Sequence, residues 1–89
     1  MANLQGTEKA RLVGVVTHYF GHIGVMAAKL SGTLRVGDTI KLVGATTDFE
    51  DVVQSIQVEH ESVEKAGAGD EIGVKVKEKV REGDRVYVV

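Results

Sequence analysis

Eighty-nine residues are enough for one domain with one modest core, and the absence of cysteine excludes disulfides and thiolate metal sites. Hydrophobic residues make up 43% of the chain but aromatics only 4%, so the core must be built from Val, Ile, Leu and Ala. The net charge of −2 hides a segregation: residues 1–47 balance to +3, residues 48–71 to −7 and residues 72–89 to +2. No apolar run approaches the roughly 18–20 residues of a membrane span, and the N-terminus lacks a basic-then-apolar signal. The expectation is a cytoplasmic protein with no membrane partner.

Residues 1–9 are polar and without periodicity and are expected to form a frayed tail. Residues 10–89 are expected to form a single β-barrel domain. A first strand runs over about 10–19, and Phe20-Gly21-His22 reads as a hairpin loop. A second strand covers about 23–30, with Ser31-Gly32 breaking it. The third strand spans 38–43, and Gly44–Asp48 is a polar loop. The fourth runs over about 50–59, with Val52, Ile56 and Val58 on one face and Gln54 misplaced among them. His60–Ala68 reads as irregular, with one helical turn at Ser62–Lys65. Strands over 70–77 and 84–89 complete the chain. Valine dominates, and β-branched side chains favour the pleated strand. Six short strands with regular turn signals point to a barrel or a sandwich, and closure into a barrel leaves no free edge.

One phrase is written three times: Leu34–Leu42, Ala66–Val74 and Val80–Val88 each place a small or apolar residue, two spacers, Gly-Asp and then a strand. Apolar residues two and four places after the Asp share one strand face. The Gly allows positive φ in a tight turn. The Asp side chain is expected to bond backbone N–H groups beyond the turn.

Two constellations are candidate binding sites. Lys75, Lys77, Lys79 and Arg81 alternate with Val74, Val76, Glu78 and Val80. As a continued strand, that spacing presents a cationic ridge suited to phosphates; it equally describes a solvated face charged against edge pairing. The tip His18-Tyr19-Phe20-Gly21-His22 gathers two of the three histidines and two of the four aromatic residues. Exposed rings and imidazoles at His18, Tyr19, Phe20 and His22 suit RNA bases or a protein partner, unless one ring plugs the end of the barrel. The His18/His22 spacing has no Cys and no evident third ligand, so no metal is expected. Gly67, Gly69 and Gly73 precede a strand, where a dinucleotide fingerprint would precede a helix, so no cofactor and no nucleotide is expected. No nucleophile sits in a strand-turn-helix elbow, and the chain reads as not an enzyme.

The run Leu30-Ser31-Gly32-Thr33-Leu34-Arg35-Val36-Gly37-Asp38-Thr39-Ile40-Lys41-Leu42-Val43-Gly44 resembles the second domain of elongation factor Tu, as do Asp51–Val58 and Ala66–Val74. Val16–Val25, Thr46–Phe49 and Val80–Tyr87 are similar to small stand-alone translation elongation factor-like proteins and to the C-terminal barrel of collagenase-like peptidases. The resemblance implies an all-β fold, a six-stranded closed Greek-key β-barrel of the translation-factor domain 2 type. In elongation factor Tu that domain helps hold the aminoacylated end of tRNA, and in related GTPases it contacts ribosomal RNA or protein. This chain has Glu59-His60 where the tRNA carrier has a His-Arg pair, and Glu71 where it has Asn. Carboxylates there would repel tRNA phosphates, so the aminoacyl pocket is not carried over. The expectation is a non-catalytic binding module contacting RNA or the ribosome, the alternative a protein-interaction adaptor or an accessory barrel of a larger complex.

Overall fold

The computed structural model describes residues 10–89, so the tail expected over 1–9 lies outside the described residues. Ten antiparallel strands form: β1 (Arg11–Phe20), β2 (Val25–Leu30), β3 (Leu34–Arg35), β4 (Thr39–Val43), β5 (Asp48–Val52), β6 (Ile56–Val58), β7 (Glu61–Val63), β8 (Lys65–Ala66), β9 (Glu71–Lys75) and β10 (Arg85–Val88). Eight make one curled sheet in the order β5-β4-β10-β1-β2-β9-β6-β7, and β3 pairs with β8 in a second ladder.

The fold is all-β as expected, but its strand plan differs from six strands closed into a barrel. The edge strands β5 and β7 are not paired with each other. The β3–β8 ladder stands between them through a few bonds: the Val36 N–H donates to the Glu64 carbonyl, the Gly37 N–H to the Val53 carbonyl and the Val53 N–H to the Asp38 carbonyl. The expected strand over 50–59 is cut at 53–55 because the backbone of Val53 is taken by the Gly37-Asp38 turn. The cut shifts the inward phase, which leaves Val52 exposed, buries Val53 and sends Gln54 to solvent. The helical turn expected at 62–65 is absent; residues 61–63 are the return strand of a hairpin.

The three Gly-Asp phrases fold alike. In each, the Asp N–H donates to the carbonyl three residues back, at Arg35, Gly67 or Arg81 (3.1, 3.0 and 3.1 Å). The Asp carboxylate accepts the N–H of that same residue (2.9, 2.9 and 2.8 Å), closing the turn from its start and not from beyond it. Gly37, Gly69 and Gly83 hold φ of 97°, 92° and 92°, the geometry a type II turn needs at its third residue. Each turn then grips one residue distant in sequence, within a strand or just past its end. Val53, Leu30 and Val16 each accept a hydrogen bond from the turn Gly and donate one to the turn Asp carbonyl, all at 2.8–2.9 Å. All three gripped residues are buried, as are Leu34, Ala66 and Val80 at the head of each phrase.

Around these clamps the core is aliphatic: Val13, Met26, Ala28, Ile40, Leu42, Ile56, Val74 and Val86 are buried together, with Tyr19 and Phe49 packed against them. Two bulges in β1, at Leu12/Gly14 and Val16/His18, change its phase. The second turns Tyr19 toward the core and leaves His18 and Phe20 outside.

A Cβ on Gly37, Gly69 or Gly83 meets nothing within 4 Å, so substitution there carries only a conformational cost. Alanine at any of the three is expected to lower stability by about 1–2 kcal/mol, read as a drop in melting temperature of several degrees. Gly44 differs: its added Cβ would collide with Oδ1 of the buried Asp84. Gly44→Ala is expected to cost about 3 kcal/mol, since it displaces the carboxylate from the Arg81 N–H. In urea melts, Gly44→Ala/Asp84→Ala should cost less than the sum of the single changes.

Candidate functional site

On the outer face of the sheet, cross-strand register builds a shallow groove of about 440 Å³. Its floor is low at Ala27 and Gly73, which lie side by side on β2 and β9, with Gln57 of β6 next to Gly73. Gly73 has no positive φ, and a Cβ there would meet only Val25 Cγ1 at 3.6 Å. Neither backbone conformation nor packing demands glycine at this position; its effect is to keep the groove empty. Glycine inside a strand marks a bulge, a tight bend or a place where another chain or ligand comes close, and the β2–β9 register runs through Gly73 without a bulge.

One end of the groove is apolar, walled by Phe20, Ile23 and Val25. Phe20 is 46% exposed and Ile23 60%, an unusual exposure for large apolar side chains that stand together. Phe20 is braced: the His18 ring meets it edge-on with centroids 4.4 Å apart. His18 Nδ1 in turn lies 3.4 Å from a carboxylate oxygen of Glu82, which sits in the third Gly-Asp turn.

The other end is polar, walled by Glu59, His60 and Glu71. Glu59 and His60 form the two-residue turn between β6 and β7, both with positive φ (51° and 70°). That geometry favours Asn-Gly, and holding other residues in it costs about 1 kcal/mol or more each. Antiparallel pairing of Gln57 with Gly73 runs β6 toward Glu71, so the turn and Glu71 share one end. Lys29 is the register partner of Glu71, yet the two make no ion pair among the described residues.

The structure divides the residues expected to bind. His18 and Phe20 belong to the groove's apolar end, Tyr19 is half-buried against the core, and His22 is exposed in the β1–β2 turn. Lys75, Lys77, Lys79 and Arg81 are all exposed, but strand β9 ends at Lys75 and the alternation breaks where Glu78 and Lys79 are both exposed. Lys75 and Lys77 line a smaller hollow of about 230 Å³ with Asp51, whose Oδ2 accepts the Lys77 N–H at 2.9 Å. A carboxylate stands inside that part of the expected cationic ridge. No three His, Cys, Asp or Glu side chains among the described residues could hold a metal ion, and no helix among them is long and apolar enough to cross a membrane. The sequence reading missed Ile23, Ala27, Gln57 and Gly73; the one signal for them was a glycine inside an otherwise valine-rich strand.

Comparison with known proteins gives three kinds of match. The family model described as elongation factor Tu domain 2 matches residues 29–82. Among curated proteins, the chain is 42% identical over 78 residues to an uncharacterized protease of Methanocaldococcus jannaschii, covering 86% of this chain and 19% of that protein. It is 40% identical over 83 residues to a collagenase of Porphyromonas gingivalis, covering 91% of this chain and 23% of that protein. The chain thus spans about a fifth of the length of these relatives. Among solved structures, the C-terminal domain of a Geobacillus thermoleovorans protein of the U32 peptidase group superposes with a TM-score of 0.82 at 20% identity, covering 85% of this chain and 96% of that one. A second structure of that domain gives 0.81, covering 85% and 89%.

These relatives overturn the expectation of a translation factor-like, RNA- or ribosome-contacting module: at 40–42% identity they are named as proteases. The resemblance to the tRNA carrier was carried by the turn-and-strand phrases of residues 30–44, 51–58 and 66–74, most of which lie within the family-model match. By the match over residues 29–82, the chain belongs to the elongation factor Tu domain 2 family.

Proposed function

We propose that this chain is a non-catalytic accessory barrel of a protease system, which holds a polypeptide segment in the groove over β2, β9 and β6. The observation that carries this reading is the groove itself: exposed Phe20 and Ile23 beside a floor stripped of side chains at Gly73. The spread of the match supports it, since the chain spans about a fifth of relatives named as proteases. A segment of that size suits a part that positions a polypeptide while another part cuts it.

The groove's chemistry supports a holding role. Its lining contains no Ser, Thr, Cys or Lys that could serve as a nucleophile, and Glu59, His60 and Glu71 do not gather into a metal cradle. A shallow apolar groove with a few polar groups at one end suits the binding of a ligand. The absence of cysteine agrees with a reducing, cytoplasmic setting. The similarity to stand-alone translation elongation factor-like proteins concerns the frame of the barrel and does not enter this reading.

The test is an NMR titration of the 15N-labelled 89-residue protein with a mixture of randomised, unstructured decapeptides. Shifts are expected to centre on the amides of Ala27, Gln57 and Gly73, and mass spectrometry should recover the peptides intact. Phe20→Ala/Ile23→Ala should weaken binding about ten-fold or more with little change in melting temperature, because both side chains are exposed anchors. No groove shifts at millimolar peptide, or hydrolysis of the peptides by the pure chain, would refute the proposal.

A further inference from the structure

We infer that the Glu59-His60 turn is a specificity element, which makes the groove select an extended segment carrying a Lys or Arg two residues from an apolar side chain. This inference rests on the polypeptide-holding reading above and adds the chemistry of the segment.

The turn is the first ground. A two-residue hairpin loop with positive φ at both positions is the natural place for Asn-Gly. Here it carries a glutamate and a histidine, neither of which forms a side-chain hydrogen bond that would relieve the geometry among the described residues. Both side chains instead line the groove. Residues that disfavour their own backbone, placed on the wall of a concave surface, indicate a demand from outside the fold.

Charge supplies the second ground. Glu59 and Glu71 stand at the same end; Lys29 lies opposite Glu71 on β2 without forming an ion pair, so two carboxylates against one ammonium leave this end net negative. They come from the 48–71 stretch, which holds the chain's excess of −7. The wall at this end repels anions and attracts an ammonium or guanidinium group, while the other end offers Phe20, Ile23 and Val25.

Spacing fixes the arrangement. On β9 the residues Glu71, Gly73 and Lys75 share one face, with Val25 opposite Lys75. From Val25 to the level of Glu71 is four strand residues, roughly 13 Å. In an extended ligand, residues i and i+2 face the same way roughly 6.7 Å apart. A long cationic stem spans the rest.

Two capped heptapeptides test this by fluorescence anisotropy. Each carries leucine, followed two residues on by lysine in one and by glutamate in the other, with glycine elsewhere. The wild-type chain is expected to bind the lysine peptide at least ten-fold more tightly in 50 mM salt. Glu59→Asn/His60→Gly should melt a few degrees higher than wild type and lose the preference to within two-fold. Gly73→Leu should bind neither peptide while melting as wild type does. A double variant that keeps the ten-fold preference, or that melts lower than wild type, overturns the inference, because the turn would then be structural. Equal binding of both peptides by wild type, abolished by Gly73→Leu, also overturns it while leaving the groove as a polypeptide site. Binding of neither peptide by wild type, together with no groove shifts from the decapeptides, removes both readings.

Discussion

The fold depends on one backbone device used three times. A Gly-Asp turn closes itself with two hydrogen bonds to the residue at its start, then holds one buried residue within a strand or just past its end through two more. Each gripped residue, Val16, Leu30 or Val53, lies far from its turn in sequence, so every clamp fixes a long-range contact that hydrophobic burial alone would leave free to slip in register. An aliphatic core with only four aromatic residues in the chain has little shape specificity of its own. Directional bonds at three points supply it.

The clamps also determine where the groove lies and what stands beside it. The turn over 67–70 grips Leu30 and sets β9 against β2, which aligns Gly73 with Ala27. The turn over 81–84 grips Val16 just before the bulge of β1 and carries Glu82, which meets His18 and through it the ring of Phe20. The turn over 35–38 takes the backbone of Val53, ending β5 and allowing β6 to begin anew beside β9. The candidate site is therefore built from outward-facing side chains on strands whose positions are set from within. Gly73 on its floor and the strained turn on its rim are the places where the sequence departs from what the fold would choose for itself.

Much of the frame was legible in the sequence. The Gly-Asp phrases announced turns and half-buried strands, because glycine at positive φ and apolar spacing of two are local facts. The closing bonds of Asp38, Asp70 and Asp84 run backward to the turn's first N–H, a detail that composition does not encode. The break at 53–55 was invisible locally: it arises because Val53 is held by a turn fifteen residues earlier in the chain. Gln54, out of place in a continuous strand, was its only trace. Of the site, Phe20 could be read as an exposed ring at a hairpin tip. Gly73 could not, since its meaning depends on Ala27 and Gln57 arriving beside it from other strands. The cationic alternation over 75–81 does not continue as one strand: a period of two persists in sequence after the strand itself has ended at Lys75.

Native-state hydrogen exchange tests the clamp account most directly. The amides of Val16, Leu30 and Val53 lie at strand ends, bulges and breaks, where local fraying normally lets protons exchange quickly. Held by the turns, they should exchange only through global unfolding, as slowly as core amides such as Met26 and Val74. Exchange of these three amides at loop-like rates, with Met26 and Val74 still protected, would show that the turns lie against the sheet without holding it.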